Sequence, residues 1–177
     1  EYAQIIEKQS LHMQELLDDL NLTMRLRHQQ LPLTLTEVNM VQFMREIVID
    51  TLNTPPYEQA NIDFDATAEA ILHSIDEHFM RRAVVNFLYN ALLHNPPDVN
   101  VHVTVDTNTI TIADNGRGIS AEDLAHIFER YYRGTNTEQI QGTGLGTAIA
   151  RDIIEAHGGT VTILSEEQKG TTVTIQL

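Results

Sequence analysis

The sequence of 177 residues contains no cysteine. This absence excludes disulfides, thiolate metal sites and a cysteine nucleophile, and it suits a reducing compartment. Basic residues are also scarce, because 11 Lys and Arg stand against 25 Asp and Glu, for a formal net charge of -14 at pH 7. Such a field repels nucleic acid, so we expect no nucleic-acid partner. Any smaller anionic ligand would need a metal ion or local N–H donors to offset the same field.

Long apolar runs are missing as well. No stretch of about 18 apolar residues occurs, so nothing in this sequence is expected to span a membrane, and no signal peptide is found. The first residue is Glu1 rather than methionine, so we expect the chain to be part of a longer protein. A composition of 42% hydrophobic and 20% charged residues is typical of a folded globular chain with one moderate core and an appendage.

Residues 1–31 contain neither glycine nor proline. Apolar or small polar residues recur there at alternating steps of four and three, which predicts one long amphipathic helix of roughly 45 Å. The wide apolar face favours a bundle or a dimer, although a helix folded back on its own domain is an alternative. The positions of this face are Tyr2, Ile6, Gln9, Met13, Leu16, Leu20 and Thr23, with Leu17, Met24 and Leu31 beside them.

Helix and strand patterns alternate in the rest of the chain, with proline or glycine between many of them. The sequence predicts a connector over 32–37, helices over about 38–53, 77–95 (capped by Asp76), 121–128 and 144–157, and strands over about 61–65, 70–75, 101–105, 109–113, 160–165 and 171–176.

Three polar residues share one face of the helix predicted over 77–95. Asn86, Asn90 and His94 are spaced by four, so about one helical turn separates each from the next. An asparagine carboxamide oxygen is a neutral, hard ligand that suits Mg²⁺, whose other ligands are often water and phosphate oxygens. Ordinary polar residues at the solvent edge of a core helix would have the same spacing.

A glycine-rich turn follows the strand predicted over 109–113. It begins with a carboxylate, which can accept a hydrogen bond from an exocyclic amino group such as that of adenine. Its glycines would let the backbone approach a flat base closely. A plain Asn-Gly turn is the simpler alternative. The turn contains Asp114, Asn115, Gly116, Arg117, Gly118 and Ile119.

A second glycine cluster opens the helix predicted over 144–157. Glycines at a helix N-terminus expose several N–H groups to a phosphate, and the helix dipole assists. Ordinary loops contain glycine clusters too, and no Gly-Lys-Ser/Thr sequence follows, which excludes a Walker-type phosphate loop. The cluster contains Gly142, Thr143, Gly144, Leu145 and Gly146.

Aromatic and basic residues lie between the two glycine clusters. Residues 127–134 read Ile-Phe-Glu-Arg-Tyr-Tyr-Arg-Gly and are followed by a polar stretch that ends at 141. Arg130 and Arg133 are cations on a predicted loop, where they would close over phosphates that no fixed basic patch holds. The alternative is a surface helix end with aromatic anchors.

These four signals, in this order and with these gaps, resemble the N, G1, F and G2 boxes of sensor histidine kinases. The resemblance covers about residues 36–177 and includes the Gly-Gly-Thr and Gly-Thr-Thr sequences near the C-terminus. It implies an α+β fold, a two-layer α/β sandwich of the Bergerat type with helices on one face of a mixed sheet, preceded here by a long helix. It also implies the second helix of a dimerisation and phosphotransfer hairpin over 1–31, a linker over 32–37 and a catalytic ATP-binding domain over 38–177.

The same resemblance implies Mg-ATP as the ligand. Asn90 would bind the metal, Asn86 would lie at the phosphates, and Asp114 would recognise the adenine amino group. Arg130 and Arg133, on a lid over about 120–141, would act in catalysis together with Asn86. The residues implied to contact the nucleotide are Asn86, Asn90, His94, Asp114, Gly116, Gly118, Ile119, Tyr132, Gly142, Thr143, Gly144, Leu145 and Gly146.

Three positions depart from the family's pattern. A lysine is usual three residues after the metal-binding asparagine, but Leu93 stands there, so one phosphate-neutralising charge is missing. His94 replaces a common aromatic residue and can still donate a hydrogen bond to phosphate. Thr147 stands where a bulkier aliphatic residue is usual.

The family's phosphoacceptor is a histidine followed by an acidic residue and, soon after, a proline. Neither His12 nor His28 has that context, nor does any other histidine of the chain. We therefore expect the chain to donate the γ-phosphate of ATP to a histidine outside this sequence, for relay to a response regulator receiver domain, and not to phosphorylate itself in isolation. The whole protein would be a bacterial membrane kinase, dimeric through the N-terminal helix, with this part in the cytoplasm.

Hydrolysis of ATP is an alternative to phosphate transfer. Type II topoisomerases, mismatch-repair ATPases and heat-shock chaperones share the fold, but they place a glutamate four residues before the metal-binding asparagine to activate water. Asn86 stands at that position and is a poor base, which favours transfer to a protein side chain. A degenerate domain that only binds nucleotide or scaffolds a dimer is a further alternative, consistent with Leu93.

Overall fold

A computed structural model of the chain describes residues 2–27, 31–134 and 143–177. All the predicted helices and strands are present, most of them within two or three residues of their predicted bounds. The elements in chain order are α1 (Tyr2–Arg27), β1 (Thr36–Asn39), α2 (Met40–Leu52), β2 (Asn61–Ala66), β3 (Leu72–Ile75), α3 (Glu77–Leu93), β4 (Asn100–Asp106), β5 (Thr109–Asp114), α4 (Ala121–Ala125), α5 (Gly146–Ala156), β6 (Thr160–Glu166) and β7 (Gly170–Gln176).

The main sheet has five strands in the order β2-β4-β5-β7-β6. Strand β2 pairs with β4 in parallel, and the remaining neighbours are antiparallel, so the sheet is mixed. Alternation along the strands buries one face, on which α2, α3 and α5 pack, while the other face carries exposed or half-exposed polar residues such as His102 and Thr111. The predicted two-layer sandwich is therefore confirmed. Its buried sheet residues include Val101, Val103, Val105, Ile110, Ile112, Val173 and Ile175.

Helices α3 and α5 pack against each other above the sheet and position the candidate site. The side chain of Asp76 caps α3, because its Oδ1 accepts a hydrogen bond from the Phe79 N–H at 3.2 Å. Along α3, apolar residues at helical spacing face the sheet and α5. The polar face of the helix is therefore turned toward a cavity. The buried residues of α3 are Met80, Ala83, Val84, Phe87, Leu88, Ala91 and Leu92.

One strand was not predicted. Residues Thr36–Asn39 form β1, which pairs antiparallel with β3, so the predicted connector ends earlier and α2 begins at Met40 rather than 38. The Asn39 side chain accepts hydrogen bonds from the Val41 and Ile71 N–H groups, which joins the start of α2 to the segment before β3. A four-residue strand whose partner lies far along the chain leaves little periodic signal in the sequence.

Helix α1 contacts α5 near its C-terminal end, where Leu22 and Thr23 are each 5% exposed. Further toward the N-terminus, two apolar side chains that the structure describes are exposed, Ile6 at 68% and Met13 at 61%. The helix therefore folds back on the domain over its last turns and still presents an uncovered apolar stripe. Within the described part of the chain, no helix has the length and apolar content needed to cross a membrane.

Candidate functional site

A cavity of about 1070 Å³ opens between α3, α5 and one end of the main sheet. Sites for small molecules usually measure about 300–1,000 Å³, so this cavity is large enough for a nucleotide. Most of the residues that the sequence motifs single out meet on its wall, although they come from four separate segments. Those on the wall are Asn86, Asn90, His94, Asp114, Gly118, Ile119, Tyr132, Arg133, Thr143, Gly144 and Gly146.

Two predicted ligand-contacting residues are not among the described residues of the cavity wall. A Cβ added at Gly116 would lie 2.0 Å from Asn95 Oδ1, so this glycine makes room for the Asn95 side chain. Leu145 is 2% exposed and belongs to the hydrophobic core. The contact of these two residues with a ligand stays a prediction. Gly142 lies outside the described residues, as do 135–141 of the expected lid.

Some residues of the aromatic and basic segment 127–134 anchor it to α5, and others line the cavity. Arg130 forms an ion pair with Asp152 of α5 and is not among the described residues that line the cavity, so its role at the phosphates stays a prediction. The Arg151 guanidinium lies 5.3 Å from the centre of the Phe128 ring. These contacts match the alternative of an anchored helix end, whereas Arg133 lines the cavity as expected.

The two asparagines of α3 hold each other's amides in place. Asn90 Nδ2 donates to Asn86 Oδ1 at 3.3 Å and to Thr147 Oγ1 at 3.5 Å. The start of α5 packs closely against the same pair: a Cβ added at Gly146 would lie 2.1 Å from Asn86 Nδ2. With its nitrogen engaged, Asn90 presents its carbonyl oxygen as an acceptor, and among the described residues that oxygen has no hydrogen-bond partner.

Asp114 is a partly buried carboxylate at the end of β5. Its Oδ1 accepts hydrogen bonds from the Gly116 N–H at 2.8 Å and from Asn95 Nδ2 at 3.1 Å. Burial raises the pKa of Asp114 above the usual value, while the bonds from Gly116, Thr171 and Asn95 act in the opposite direction. The result is a carboxylate of fixed orientation on the cavity wall, suited to accept a hydrogen bond from a ligand.

Asn95 is a site residue that the sequence reasoning missed. Its Nδ2 donates to both Ala91 O and Asp114 Oδ1, and its Oδ1 accepts from the Arg117 N–H at 2.8 Å. One side chain thus clamps the turn after β5 to the C-terminal end of α3. Asn95 does not follow the spacing of four that singled out Asn86 and Asn90. Its position next to His94 was therefore the only sequence feature that pointed to the site.

The glycine-rich turn is also joined to the hairpin between β6 and β7. Gly118 has a φ of 67°, and a Cβ there would lie 2.0 Å from Glu166 O, so both conformation and space require glycine. The Ile119 N–H donates to Ser165 Oγ at 2.8 Å, and the Gln168 N–H donates to Arg117 O at 2.7 Å. The backbone beside Asp114 is therefore held from two sides.

Two further titratable residues of the wall have shifted pKa values. Burial lowers the pKa of His94, and the nearby positive charge of Arg133 lowers it further, which favours the neutral imidazole. Tyr132 donates its hydroxyl to Asp123 Oδ1 at 2.7 Å, and this bond is the main cause that raises the pKa of Tyr132 to about 12. The hydroxyl bond joins the segment after α4 to α4 itself.

Comparison with known proteins gives three independent likenesses. Residues 75–177 match the family described as Histidine kinase-, DNA gyrase B-, and HSP90-like ATPase. The chain is 36% identical to Sensor histidine kinase YvrG of Bacillus subtilis (strain 168) over 99% of its own length, which is 31% of that protein. The mycobacterial sensor histidine kinase MprB superposes with a TM-score of 0.65 and 26% identity over 81% of this chain and 97% of that one.

A longer solved chain, described as ShkA full-length in complex with AMPPNP, superposes with a TM-score of 0.79. At 22% identity, over 98% of this chain and 37% of that one, this likeness shows the fold alone. The present chain spans about a third of the length of YvrG and about a quarter of that of WalK, another Bacillus subtilis sensor histidine kinase. The chain belongs to the family of histidine kinase-, DNA gyrase B- and HSP90-like ATPases and is homologous, within it, to the ATP-binding catalytic domains of sensor histidine kinases.

Proposed function

We propose that this chain binds Mg-ATP and donates the γ-phosphate to a histidine of the sensor kinase to which it belongs. The single observation that carries the proposal is that Asn86, Asn90 and Asp114, from two distant parts of the sequence, meet on the wall of one cavity. The phosphate would then pass to an aspartate in the receiver domain of a response regulator.

The residues present fit Mg-ATP at both ends of the cavity. Asn90 offers a neutral carbonyl oxygen whose amide nitrogen is already engaged, and such an oxygen is a suitable ligand for Mg²⁺. Asp114 offers a fixed carboxylate that can accept from the adenine amino group. A bound magnesium ion would neutralise phosphate charge, which the chain's negative field otherwise opposes.

Asn86 supports transfer over hydrolysis. An amide has no basic oxygen comparable to a carboxylate, and Asn86 Oδ1 already accepts a hydrogen bond from Asn90. Nothing at this position would activate a water molecule. We assign to Asn86 the holding of Asn90 and contact with the phosphates, and to His94 and Arg133 further donors along the same wall.

A second candidate is a nucleotide-binding domain without kinase activity. The observation that favours it is Leu93, an apolar side chain 45% exposed at the position where the related kinases carry a lysine. A cavity that lacked this cation would bind the base but hold the phosphates weakly.

We assign residues 1–31 to a dimerisation hairpin, 32–37 to a linker and 38–177 to the catalytic domain. The pairing with β3 of β1, which begins at Thr36, supports an earlier start of that domain. The exposed apolar stripe of α1 supports a homodimer in the whole protein. We assign this part to the cytoplasm, where ATP and a response regulator are available, and the whole protein to the bacterial cell membrane.

Calorimetric titration of the 177-residue chain with ATP, with and without Mg²⁺, tests the proposal. We expect magnesium-dependent binding, slow turnover, and no stable acid-labile phosphate on His12 or His28 after incubation with labelled ATP. No binding below millimolar ATP would favour the domain without kinase activity. Rapid steady hydrolysis would favour an ATPase.

A further inference from the structure

An arginine lies on the same helix face as the two asparagines. Arg82, Asn86 and Asn90 follow one another at steps of four along α3, and all three line the cavity. Asp114 lies at the C-terminal end of α3, which makes that end the adenine end under the proposed function. The cavity therefore runs from Asp114 past Asn90 and Asn86 to Arg82.

A carboxylate from α1 occupies the space beside this arginine. Asp19 Oδ1 forms an ion pair with the Arg82 guanidinium, and Thr143 Oγ1 donates a hydrogen bond to Asp19 Oδ2 at 3.3 Å. Thr143 lies just before α5, whose first residue, Gly146, abuts Asn86. A guanidinium and a hydroxyl thus surround one anionic group on the cavity wall, and the chain's own carboxylate supplies that group.

We propose, on the basis of the proposed function, that Arg82 binds the terminal phosphate of ATP and that Asp19 masks Arg82 while α1 is docked. Asp19 holds the partners that phosphate oxygens would take, so docking of α1 and binding of the terminal phosphate compete. Arg82 then supplies the positive charge that Leu93 cannot, and α1 controls access to it. By linkage, each event weakens the other by the same factor.

The contacts of α1 argue against a purely structural role for this ion pair. Leu22 is buried in the hydrophobic core where α1 meets the domain, and Thr23 is buried beside it, so the helix has contacts that do not depend on Asp19. Asp18, the neighbouring residue, also lines the cavity and adds a second negative charge there. Two acidic residues beside a phosphate site oppose the ligand's charge and would be poorly placed if α1 were only an anchor.

The test measures the dissociation constants of Mg-ATP, Mg-ADP and adenosine for six forms of the 177-residue chain. These are the wild type, Arg82→Gln, Arg82→Lys, Asp19→Asn and two charge-matched controls. Arg45→Gln removes a positive charge from α2, where Arg45 stacks on Phe64 away from the cavity. Asp63→Asn removes a negative charge from the exposed face of β2.

We expect Arg82→Gln to weaken Mg-ATP binding about tenfold, Mg-ADP less, and adenosine not at all, because a charged hydrogen bond to the terminal phosphate is lost. Asp19→Asn should tighten Mg-ATP binding several-fold, and Arg82→Lys should recover part of the affinity. Both controls should match the wild type. Opposite effects of the two variants separate this inference from simple disruption of the ion pair, which both remove.

The inference would be overturned if Arg82→Gln weakened the binding of all three ligands equally. It would also be overturned if Asp19→Asn did not bind Mg-ATP more tightly than the wild type. A wild-type chain that binds neither adenosine nor Mg-ATP refutes the proposed function as well, so the two failures are distinguishable. Hydrogen exchange gives the reciprocal measurement: saturating Mg-ATP should speed exchange of the Leu22 and Thr23 amides, and adenosine should not. Unchanged exchange with Mg-ATP would also contradict the inference.

Discussion

At the end of the cavity that we propose for adenine, Asp114 accepts hydrogen bonds from a backbone N–H and from Asn95, and the turn after it is bonded to the hairpin between β6 and β7. At the end that we propose for the phosphates, the contacts join side chains from α1, α3 and the start of α5, as in the pairing of Arg82 with Asp19. Backbone N–H groups take part in the contacts at the first end, whereas the contacts at the second join one side chain to another. The comparison suggests a fixed site for the base beside an adjustable site for the phosphates.

The largest effect that tests this comparison is expected at the adenine end. Asp114→Asn should weaken ATP and adenosine alike, by about 1–3 kcal/mol, because the new amide presents a donor to the adenine amino group. Binding should remain dependent on Mg²⁺, since Asn90 is untouched. Calorimetry with both ligands measures the loss, and affinity equal to the wild type would remove Asp114 from the base site.

A smaller loss is expected when the clamp behind Asp114 is removed. Asn95→Ala leaves Asp114 without one donor and the Arg117 N–H without its acceptor, so adenosine affinity should fall about tenfold. The melting temperature should also fall by several degrees. A variant that melts lower but binds adenosine normally would show that the clamp is structural and does not orient the carboxylate.

At the phosphate end, removal of one side-chain contact should cost less. Thr147→Val keeps the size of the side chain and removes the acceptor 3.5 Å from Asn90 Nδ2, a long and weak hydrogen bond. We expect Mg-ATP to bind two- to threefold more weakly and adenosine to bind unchanged. The matched change Thr111→Val, on the open face of the sheet, should alter neither value.

The smallest expected effect is a shift in titration. His94, whose pKa burial lowers, should titrate below 6.5 in NMR spectra, and exposed His126, whose pKa the bond to Glu129 raises, should titrate above it. Because folding lowers the pKa of His94, the contribution of this residue to the free energy of unfolding is present above pH 6.5. That contribution is lost as the pH falls through the folded-state pKa. Mg-ATP should raise the midpoint of His94 and leave that of His126 unchanged. Identical shifts at both histidines would contradict a nucleotide site beside His94.

The sequence was sufficient for the fold class because most elements carry a clear period of hydrophobic residues. Spacing and strand-end position were enough to single out Asn86, Asn90 and Asp114, which line one cavity, while their roles at a ligand stay predictions. Asn95, Thr147 and Asp19 were missed because their contacts join segments that are distant in sequence. The order of the strands and the short β1 likewise depend on pairings that local patterns do not encode.

Three predicted site residues have structural contacts that their motifs alone do not reveal. Gly116 and Leu145 occupy glycine-rich motifs, but the glycine allows close packing and the leucine fills the core. Arg130 is a cation that pairs with Asp152 on α5. The roles of these three residues and of Gly142 at a ligand stay predictions.

The central claim is that Asn90 binds a magnesium ion that bridges the chain to the phosphates of ATP, while the base is held independently. Calorimetric titration of wild type and Asn90→Ala with ATP in Mg²⁺ and in EDTA, and with adenosine, tests it most directly. We expect Asn90→Ala to lose the magnesium-dependent part of ATP binding, to bind adenosine like the wild type and to keep its melting temperature within a few degrees. An Asn90→Ala variant that binds Mg-ATP with wild-type affinity would contradict the account.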